Sequence, residues 1–237
     1  MVVLILAGVV YSLILRPEPN IILSSSIYHS VDTYQEATKE ALKTLENRNK
    51  LTFDADQLNQ ALQQQFPEIS SVRADLPFIG QTPAINIEVA PPAFILAGAK
   101  GTYGAGKRTI VDSKGKVIGL QPQFPTIKDL PLITDEAGFD TRSGQTVLSQ
   151  SEINFILAVI TQLEKAKIPI DSLTLPKVAQ QLDLRTTDRK YYVKFYLGGD
   201  ALVQSGQFLA ARENFDSTKK QPKQYLDVRV AGKIFYK

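Results

Sequence analysis

The first residues whose types and spacing suggest chemistry are in the glycine-rich segment 101–108, which reads Gly-Thr-Tyr-Gly-Ala-Gly-Lys-Arg. This segment nearly matches the phosphate-binding pattern Gly-x-x-x-x-Gly-Lys-Ser/Thr, in which backbone amides at the start of a helix hold the phosphate. Arg108 takes the place of the hydroxyl residue that ligates Mg²⁺, and residues 109–111 have the pattern of a strand. We therefore predict a flexible glycine loop that binds no nucleotide.

Metal ligands and nucleophiles are scarce in this chain. It has no cysteine and a single histidine, His29, so a thiolate site or a histidine-based catalytic pair lacks its residues. Asp135, Glu136 and Asp140 are close in sequence, and paired carboxylates cleave glycosidic bonds, but adjacent acids in a loop are usually just solvated. We predict that the protein is not an enzyme and has no catalytic, cofactor-binding or metal-binding residues.

Four aromatic residues, Tyr191, Tyr192, Phe195 and Tyr196, allow two interpretations. They could form a platform for carbohydrate or nucleic acid, on which ring faces stack. Alternatively, they fill the core and pair across neighbouring strands. The alternation of a strand in this stretch favours the second interpretation.

Charge is spread unevenly along the chain. Residues 17–90 contain 5 basic and 10 acidic residues, a net charge of −5, and residues 91–237 contain 21 and 14, a net charge of +7. This asymmetry indicates two folding units, and Pro91-Pro92 marks the boundary between them. The basic half could favour anionic neighbours such as lipid headgroups or wall polymer, while an ordinary mixed surface is the alternative.

These patterns predict an α+β chain with three parts. Residues 1–16 are mostly apolar and predict the outer part of a transmembrane helix, truncated at its start, with a buried helix as the alternative. Residues 20–90 predict a small domain in which two helices pack on one face of a sheet. Residues 91–237 predict a mainly antiparallel β domain with two helices.

Local signals predict where several helices and turns lie. Asp32, Asp54 and Ser149 stand at the positions of helix N-caps. Residues 112–115, Asp-Ser-Lys-Gly, predict a hairpin turn. Residues 121–144 contain three prolines and predict a long irregular loop.

The last stretch, residues 224–237, has the pattern of a strand with one buried face. Leu226, Val228 and Val230 alternate with polar or aromatic residues, which is the period of two that a strand requires. Ala231-Gly232 interrupts the run, as a bulge or a tight bend does. A strand that stays at the edge of a sheet can accept a strand from another protein.

Several short motifs, taken in order, resemble the FtsQ/DivIB family of bacterial cell division proteins. The most specific is Tyr-Leu-Asp-Val-Arg at 225–229 followed by Gly-Lys-Ile-Phe-Tyr-Lys at 232–237, which is similar to the terminal strand of that family. The other motifs follow the order of the family pattern and extend the resemblance over most of the chain. They are residues 66–72, 85–89, 91–93, 111–117 and 130–132.

The resemblance implies a single-pass anchor, a polypeptide-transport-associated (POTRA) domain near residues 20–90 and a β domain to residue 237. It implies a non-enzymatic scaffold of the divisome, outside the cytoplasmic membrane at the septum, with FtsB/DivIC and FtsL as partners. An anchored POTRA-type chaperone or transport module unrelated to division is the alternative.

The resemblance also implies a contact site, because the terminal strand would receive a strand from FtsB/DivIC. Main-chain bonds would provide affinity, and alternating side chains would provide selectivity. The residues expected at this contact are Tyr225, Arg229, Val230, Lys233 and Phe235. For each of them the alternative is that it closes the core of the sheet.

Overall fold

The computed structural model describes residue 8 and residues 10–237. The chain divides into two compact units, with unit 1 ending at Pro91 and unit 2 running from Pro92 to Lys237. The division lies at the Pro-Pro pair that the change in charge had indicated.

Unit 1 is a three-stranded sheet whose inner residues face two helices. Along the described part of unit 1, the elements are β1 (Asn20–Leu23), α1 (Val31–Ala41), a short 3-10 turn (Glu46–Arg48), α2 (Ala55–Gln65), β2 (Ile69–Asp75) and β3 (Ala84–Val89). The strands lie in the order β1-β3-β2, with β1 parallel and β2 antiparallel to β3. Ile85 and Ile87 of β3 are buried and alternate with the less buried Asn86 and Glu88, as expected for a sheet covered on one face.

The two helix starts of unit 1 show which local signals were sufficient. Asp54 caps α2 as predicted, because its carboxylate accepts a hydrogen bond from the backbone N–H of Gln57. The prediction that Asp32 caps α1 is wrong, since the hydroxyl of Ser30 accepts the bond from Thr33 N–H. Asp32 instead lies in the first turn, where its negative charge interacts favourably with the positive end of the helix dipole.

The predicted transmembrane anchor over residues 1–16 is not observed. Among residue 8 and residues 10–237, no helix is long and apolar enough to span a bilayer. Helical structure ends at residue 13, and Ile14 forms an isolated bridge with Asn49. Leu15 is buried and donates its backbone N–H to Arg48 O, so this segment pairs with the folded unit. The remainder of the predicted anchor, residues 1–7 and 9, lies outside the described residues.

Unit 2 is a single sheet of nine strands with two helices on one face. Its strands are β4 (Pro92–Gly98), β5 (Arg108–Asp112), β6 (Val117–Leu120), β7 (Leu132–Asp135), β8 (Ile170–Leu175), β9 (Gln181–Thr186), β10 (Tyr192–Tyr196), β11 (Tyr225–Asp227) and β12 (Phe235–Tyr236). The helices are α3 (Gln150–Lys165) and α4 (Ala201–Thr218), and a 3-10 turn spans Gln121–Gln123. The strand order is β12-β11-β10-β9-β8-β7-β4-β5-β6, which leaves β12 and β6 at the edges.

The sheet of unit 2 mixes two kinds of strand pairing. Three of its pairs are parallel, namely β4 with β7, β7 with β8 and β10 with β11, and the remaining five are antiparallel. The prediction that residues 121–144 are irregular is wrong over β7, whose Ile133 is fully buried. A four-residue strand carries too short an alternation to be recognised from its sequence, and it is ordered here by a partner on each side.

Helices α3 and α4 enclose the core of unit 2. The capping box predicted at Ser149 is confirmed, since Ser149 accepts from Glu152 N–H and the Glu152 carboxylate accepts from Ser149 N–H. Ile156 and Leu163 of α3 pack with Phe195 of β10 and Phe208 of α4, all fully buried. The face opposite the helices, called the open face here, carries partly exposed residues of β10 and β11, and the candidate site lies at the β12 edge of the sheet.

Candidate protein-binding edge

The predicted terminal strand over residues 224–237 is in fact a hairpin. β11 and β12 are antiparallel, with Leu226 opposite Tyr236 and Asp227 opposite Phe235. Between them the chain reverses in a turn closed by a hydrogen bond of 3.1 Å from Lys233 N to Val230 O. Gly232 has a φ of +74° in this turn, a conformation that glycine adopts without strain. The expected bend at Ala231-Gly232 is therefore a full reversal, which makes β11 an inner strand and β12 the edge.

Helix α4 holds this C-terminal hairpin, defined here as residues 225–237, in place. The amide nitrogen of Gln207 donates to Val230 O and to Lys233 O, each at 3.1 Å, and its oxygen accepts from Gly232 N at 3.2 Å. A single side chain thus binds three backbone groups of the turn. Sequence reasoning missed Gln207 because nothing in its local context distinguishes it from any other polar helix residue.

The backbone of β12 forms hydrogen bonds on one side only, toward β11. Lys237 N–H donates to Tyr225 O at 3.1 Å, and Lys237 O accepts from Lys223 N at 2.8 Å and Gln224 N at 2.6 Å. In an antiparallel pair, residues point their backbone groups alternately toward and away from the neighbouring strand. The N–H and C=O of Tyr236 therefore face outward, and within unit 2, which is described in full, no strand pairs with that side.

The side chains of β12 are exposed and apolar on both faces of the sheet. Phe235 is 52% exposed and lies beside Asp227 on the open face. Tyr236 is 59% exposed and lies on the helix face, where its ring meets that of Phe215 edge-on at 5.1 Å. Ile234, next to the strand, is also exposed. The edge thus combines unpaired backbone with exposed apolar surface.

Arg229, predicted to contact a partner, is engaged within the unit. Its guanidinium donates to both carboxylate oxygens of Asp227, at 2.9 and 2.6 Å, and to Gln181 Oε1 at 2.9 Å. Burial acts to raise the pKa of Asp227, but the hydrogen bonds from Arg229 outweigh it and leave that pKa below its ordinary value. Arg229 therefore links β11 to β9 and positions the hairpin.

The other predicted contact residues are distributed around the hairpin. Tyr225 lies on the open face, where its ring is 6.2 Å from that of Tyr192 and the ammonium of Lys194 is 4.0 Å from its centre. Val230 and Lys233 are exposed at the two ends of the turn. The structure thus gathers the five predicted residues on one hairpin, with Phe235 alone on the edge strand.

Four aromatic residues lie in β10 or directly before it, and they divide between the core and the surface of unit 2. Tyr191 and Phe195 are buried in the core, and Tyr192 pairs across strands with Tyr225. This arrangement confirms the interpretation as core and cross-strand pairs for these three residues, whereas Tyr196 is 39% exposed and lies opposite Gln181. The four rings do not form a single platform for carbohydrate or nucleic acid, because alternate residues of a strand point to opposite faces of the sheet.

The glycine-rich segment 101–108 lacks the geometry of a phosphate site. It connects β4 to β5, which begins at Arg108, so a strand follows it where a phosphate loop requires a helix. The ammonium of Lys107 lies 5.9 Å from the centre of the Tyr103 ring. These contacts agree with a connecting loop.

The candidate acids do not form a joint site, since Asp135 is buried, Glu136 is exposed and Asp140 pairs with Arg142 at the surface. The buried carboxylate of Asp135 accepts bonds from the backbone N–H groups of Gly138 and Phe139, which orders a turn. In unit 1, His29 Nε2 lies 3.5 Å from an oxygen of buried Glu68. Over the described ranges, no group of three or more histidines or carboxylates is arranged to hold a metal ion.

No protein-family model matches the chain, and no curated protein matches it. The FtsQ/DivIB resemblance therefore stays a prediction from the order of its sequence motifs.

Proposed function

We propose that this protein is a non-enzymatic scaffold that receives an extended segment of a partner protein by strand addition at β12. The observation that carries the proposal is the edge itself, where the backbone of Tyr236 faces outward and Phe235 and Tyr236 are exposed. An exposed apolar edge strand is a site of aggregation unless a partner or charged residues cover it.

The sequence resemblance identifies the class of partner in this proposal. FtsB/DivIC-like and FtsL-like division proteins are the proposed partners, and the divisome at the septum, outside the cytoplasmic membrane, is the proposed place of action. No cofactor or small-molecule substrate is part of the proposal.

The two faces of an added strand would contact different residues of this protein. Side chains on the helix face would lie beside Tyr236 and the edge of Phe215. Side chains on the open face would lie beside Phe235. Since alternate residues of a strand face opposite sides, the partner segment should carry apolar residues on both faces next to β12.

Charge around the hairpin favours an acidic partner. Residues 219–237 contain six basic residues and one acidic residue, a net charge of +5. Lys223 and Lys237 are joined by a backbone hydrogen bond at one end of β12, and Lys233 lies at the other end. Complementary charge increases the rate of association and selects against basic partners.

The roles of the predicted contact residues differ within this proposal. Phe235 and Lys233 would contact the partner directly, together with Tyr236. Tyr225 and Arg229 would act by positioning the hairpin from its inner strand. Val230 lies in the turn, so a proline there would disturb the turn and would not test the edge.

The experiment compares Tyr236→Pro with Tyr236→Ala in the full chain. Both variants lose the ring, but only proline also removes the outward N–H. Binding of a synthetic acidic peptide from an FtsB/DivIC-like segment is measured by calorimetry. We expect Tyr236→Pro to bind about tenfold more weakly than Tyr236→Ala, since it loses one bond of about 1 kcal/mol and disturbs its neighbours.

Circular dichroism and hydrogen exchange of the β11 amides verify that both variants remain folded. Proline is tolerated at sheet edges, so the fold should persist. Equal affinity of the two folded variants for the peptide would show that the partner does not pair with β12.

A further inference from the structure

One end of unit 1 exposes large apolar side chains that nothing in its own fold requires. Phe78 is 96% exposed and Ile79 is 87% exposed, at the tip of the β2–β3 hairpin. Leu45 and Leu51, in the connection between α1 and α2, are also largely exposed. We call these four residues the apolar tip. Phe78 and Ile79 therefore leave most of their apolar area in water, and burial of that area against an apolar surface would be favourable.

Hydrogen bonds join the segments that carry the apolar tip. The ammonium of Lys50 donates to Gly80 O at 2.8 Å, which fixes the connection between the helices to the hairpin. Lys50 N also donates to Leu13 O at 2.9 Å. Gln81 Nε2 donates to Tyr11 O at 2.8 Å. These bonds bring three segments together at the end of unit 1 that carries the apolar tip: residues 10–16, 45–51 and 76–83.

Charge separates this end from the rest of unit 1. The three segments contain Arg16, Arg48 and Lys50 against one acid, Glu46, for a net charge of +2. Without them, residues 17–90 contain 3 basic and 9 acidic residues, a net charge of −6. A unit with this distribution would be attracted to an anionic surface by its tip and repelled elsewhere.

The start of the chain also connects to the end of unit 1 that carries the apolar tip. Residues 1–15 are apolar except for Tyr11 and Ser12, and the chain enters the fold from them through residues 10–16, at the tip. It leaves unit 1 for Pro91 from the far end of β3. Residues 10–16, which follow the apolar start of the sequence, thus lie at the same end of the unit as the apolar tip.

We propose that the apolar tip inserts into the interfacial layer of an anionic lipid bilayer. Phe78 and Ile79 would enter the boundary between headgroups and acyl chains, and Arg16, Arg48 and Lys50 would lie among the anionic headgroups. Apolar side chains with a basic border are the composition of interfacial membrane contacts. Exposed apolar side chains with a polar border mark interaction sites, and the basic residues here favour an anionic lipid surface.

The chain has no tryptophan, so Phe78→Trp in the full chain introduces a single reporter at the tip. The probe is a vesicle of equal parts phosphatidylcholine and phosphatidylglycerol, with or without brominated acyl chains. We expect the emission of Phe78→Trp to shift to the blue on adding vesicles and to be quenched by the brominated chains. Tyr103→Trp, at an exposed site of unit 2, is the matched control and should show neither effect.

If the chain sediments with vesicles while the emission of Phe78→Trp stays unchanged, the tip does not enter lipid and the proposal is wrong. A blue shift that grows with protein concentration without vesicles would identify a second copy of the chain as the ligand, and would also overturn it.

A second pair of variants tests the basic border. Arg48→Gln should weaken vesicle partitioning of the full chain about fivefold, since each basic residue near an anionic surface contributes about 1 kcal/mol. Arg73→Gln is the control, because Arg73 is on β2 and pairs with Glu88. Equal partitioning of the two variants would contradict a role for the border. These measurements concern unit 1 and can fail while strand addition at β12 succeeds.

Discussion

Replacing Arg229 with methionine tests how the C-terminal hairpin is held to the sheet. Methionine keeps much of the length of the side chain and removes the bonds to Asp227 and Gln181. The carboxylate of Asp227, whose side chain is only 13% exposed, then loses its charged partner. We expect unit 2 to be destabilised and β11 and β12 to loosen together.

The magnitude follows from the geometry of this pair. Hydrogen bonds to charged groups contribute about 1.5–3 kcal/mol when they are buried. The side chain of Arg229 is 35% exposed, so solvent screening lowers the expected loss to about 1–2 kcal/mol. For a unit of this size, each kcal/mol of lost stability lowers the melting temperature by about 2–4 °C.

The effect should depend on pH in one direction. The pKa of Asp227 in the folded state lies below its ordinary value, so the ion pair contributes fully above the unfolded value of about 3.9. Its contribution is lost as the pH falls through the lower, folded value. The difference in stability between wild type and Arg229→Met should therefore be constant near neutral pH and shrink below about pH 4.

The assay is urea unfolding at several pH values, with Arg142→Met as the matched control. Arg142 pairs with Asp140 at the same spacing of two residues, but on the open surface, and its loss should cause no measurable change. If the two variants have the same stability at neutral pH, the Arg229–Asp227 pair does not hold the hairpin and this reasoning is refuted.

Three further substitutions give separate tests. Gln207→Leu removes three hydrogen bonds to the turn, so hydrogen exchange at the Gly232 amide should accelerate. The free energy of unfolding of unit 2 should fall by about 1–2 kcal/mol. Unchanged exchange at Gly232 would contradict this role of Gln207. Gly115→Ala should cost about 3 kcal/mol or more in thermal unfolding, because Gly115 has a φ of +84° and its Cβ would clash with Leu148 O. Lys107→Ala should leave ATP titrations flat, as in wild type, whereas saturable binding lost in the variant would indicate a nucleotide site.

Predictions from the sequence succeeded where neighbouring residues set the structure. The caps at Asp54 and Ser149 depend on groups within three residues, so the local pattern contained all the required information. The cap at Asp32 failed because Ser30, two residues earlier, is an equally good acceptor. Choosing between two such residues depends on where the helix packs, which the local pattern does not contain.

The candidate site shows the same division. The alternation at residues 225–230 correctly indicated a strand at Tyr225–Asp227, and Ala231-Gly232 correctly indicated an interruption. The reversed turn there is bound by Gln207, on a helix more than twenty residues earlier in the chain. Which strand becomes the edge was therefore not readable from the strand itself.

Composition and short-range pattern alone thus determined the α+β class, the division at Pro91-Pro92, and the lack of cysteine and near-lack of histidine for site chemistry. Only the tertiary structure decided that Leu15 pairs with Arg48 in place of continuing an anchor helix, and that β12 is the exposed edge. The physical reason is that backbone hydrogen bonds between distant segments compete with local ones, and their outcome depends on which groups the whole fold brings within reach.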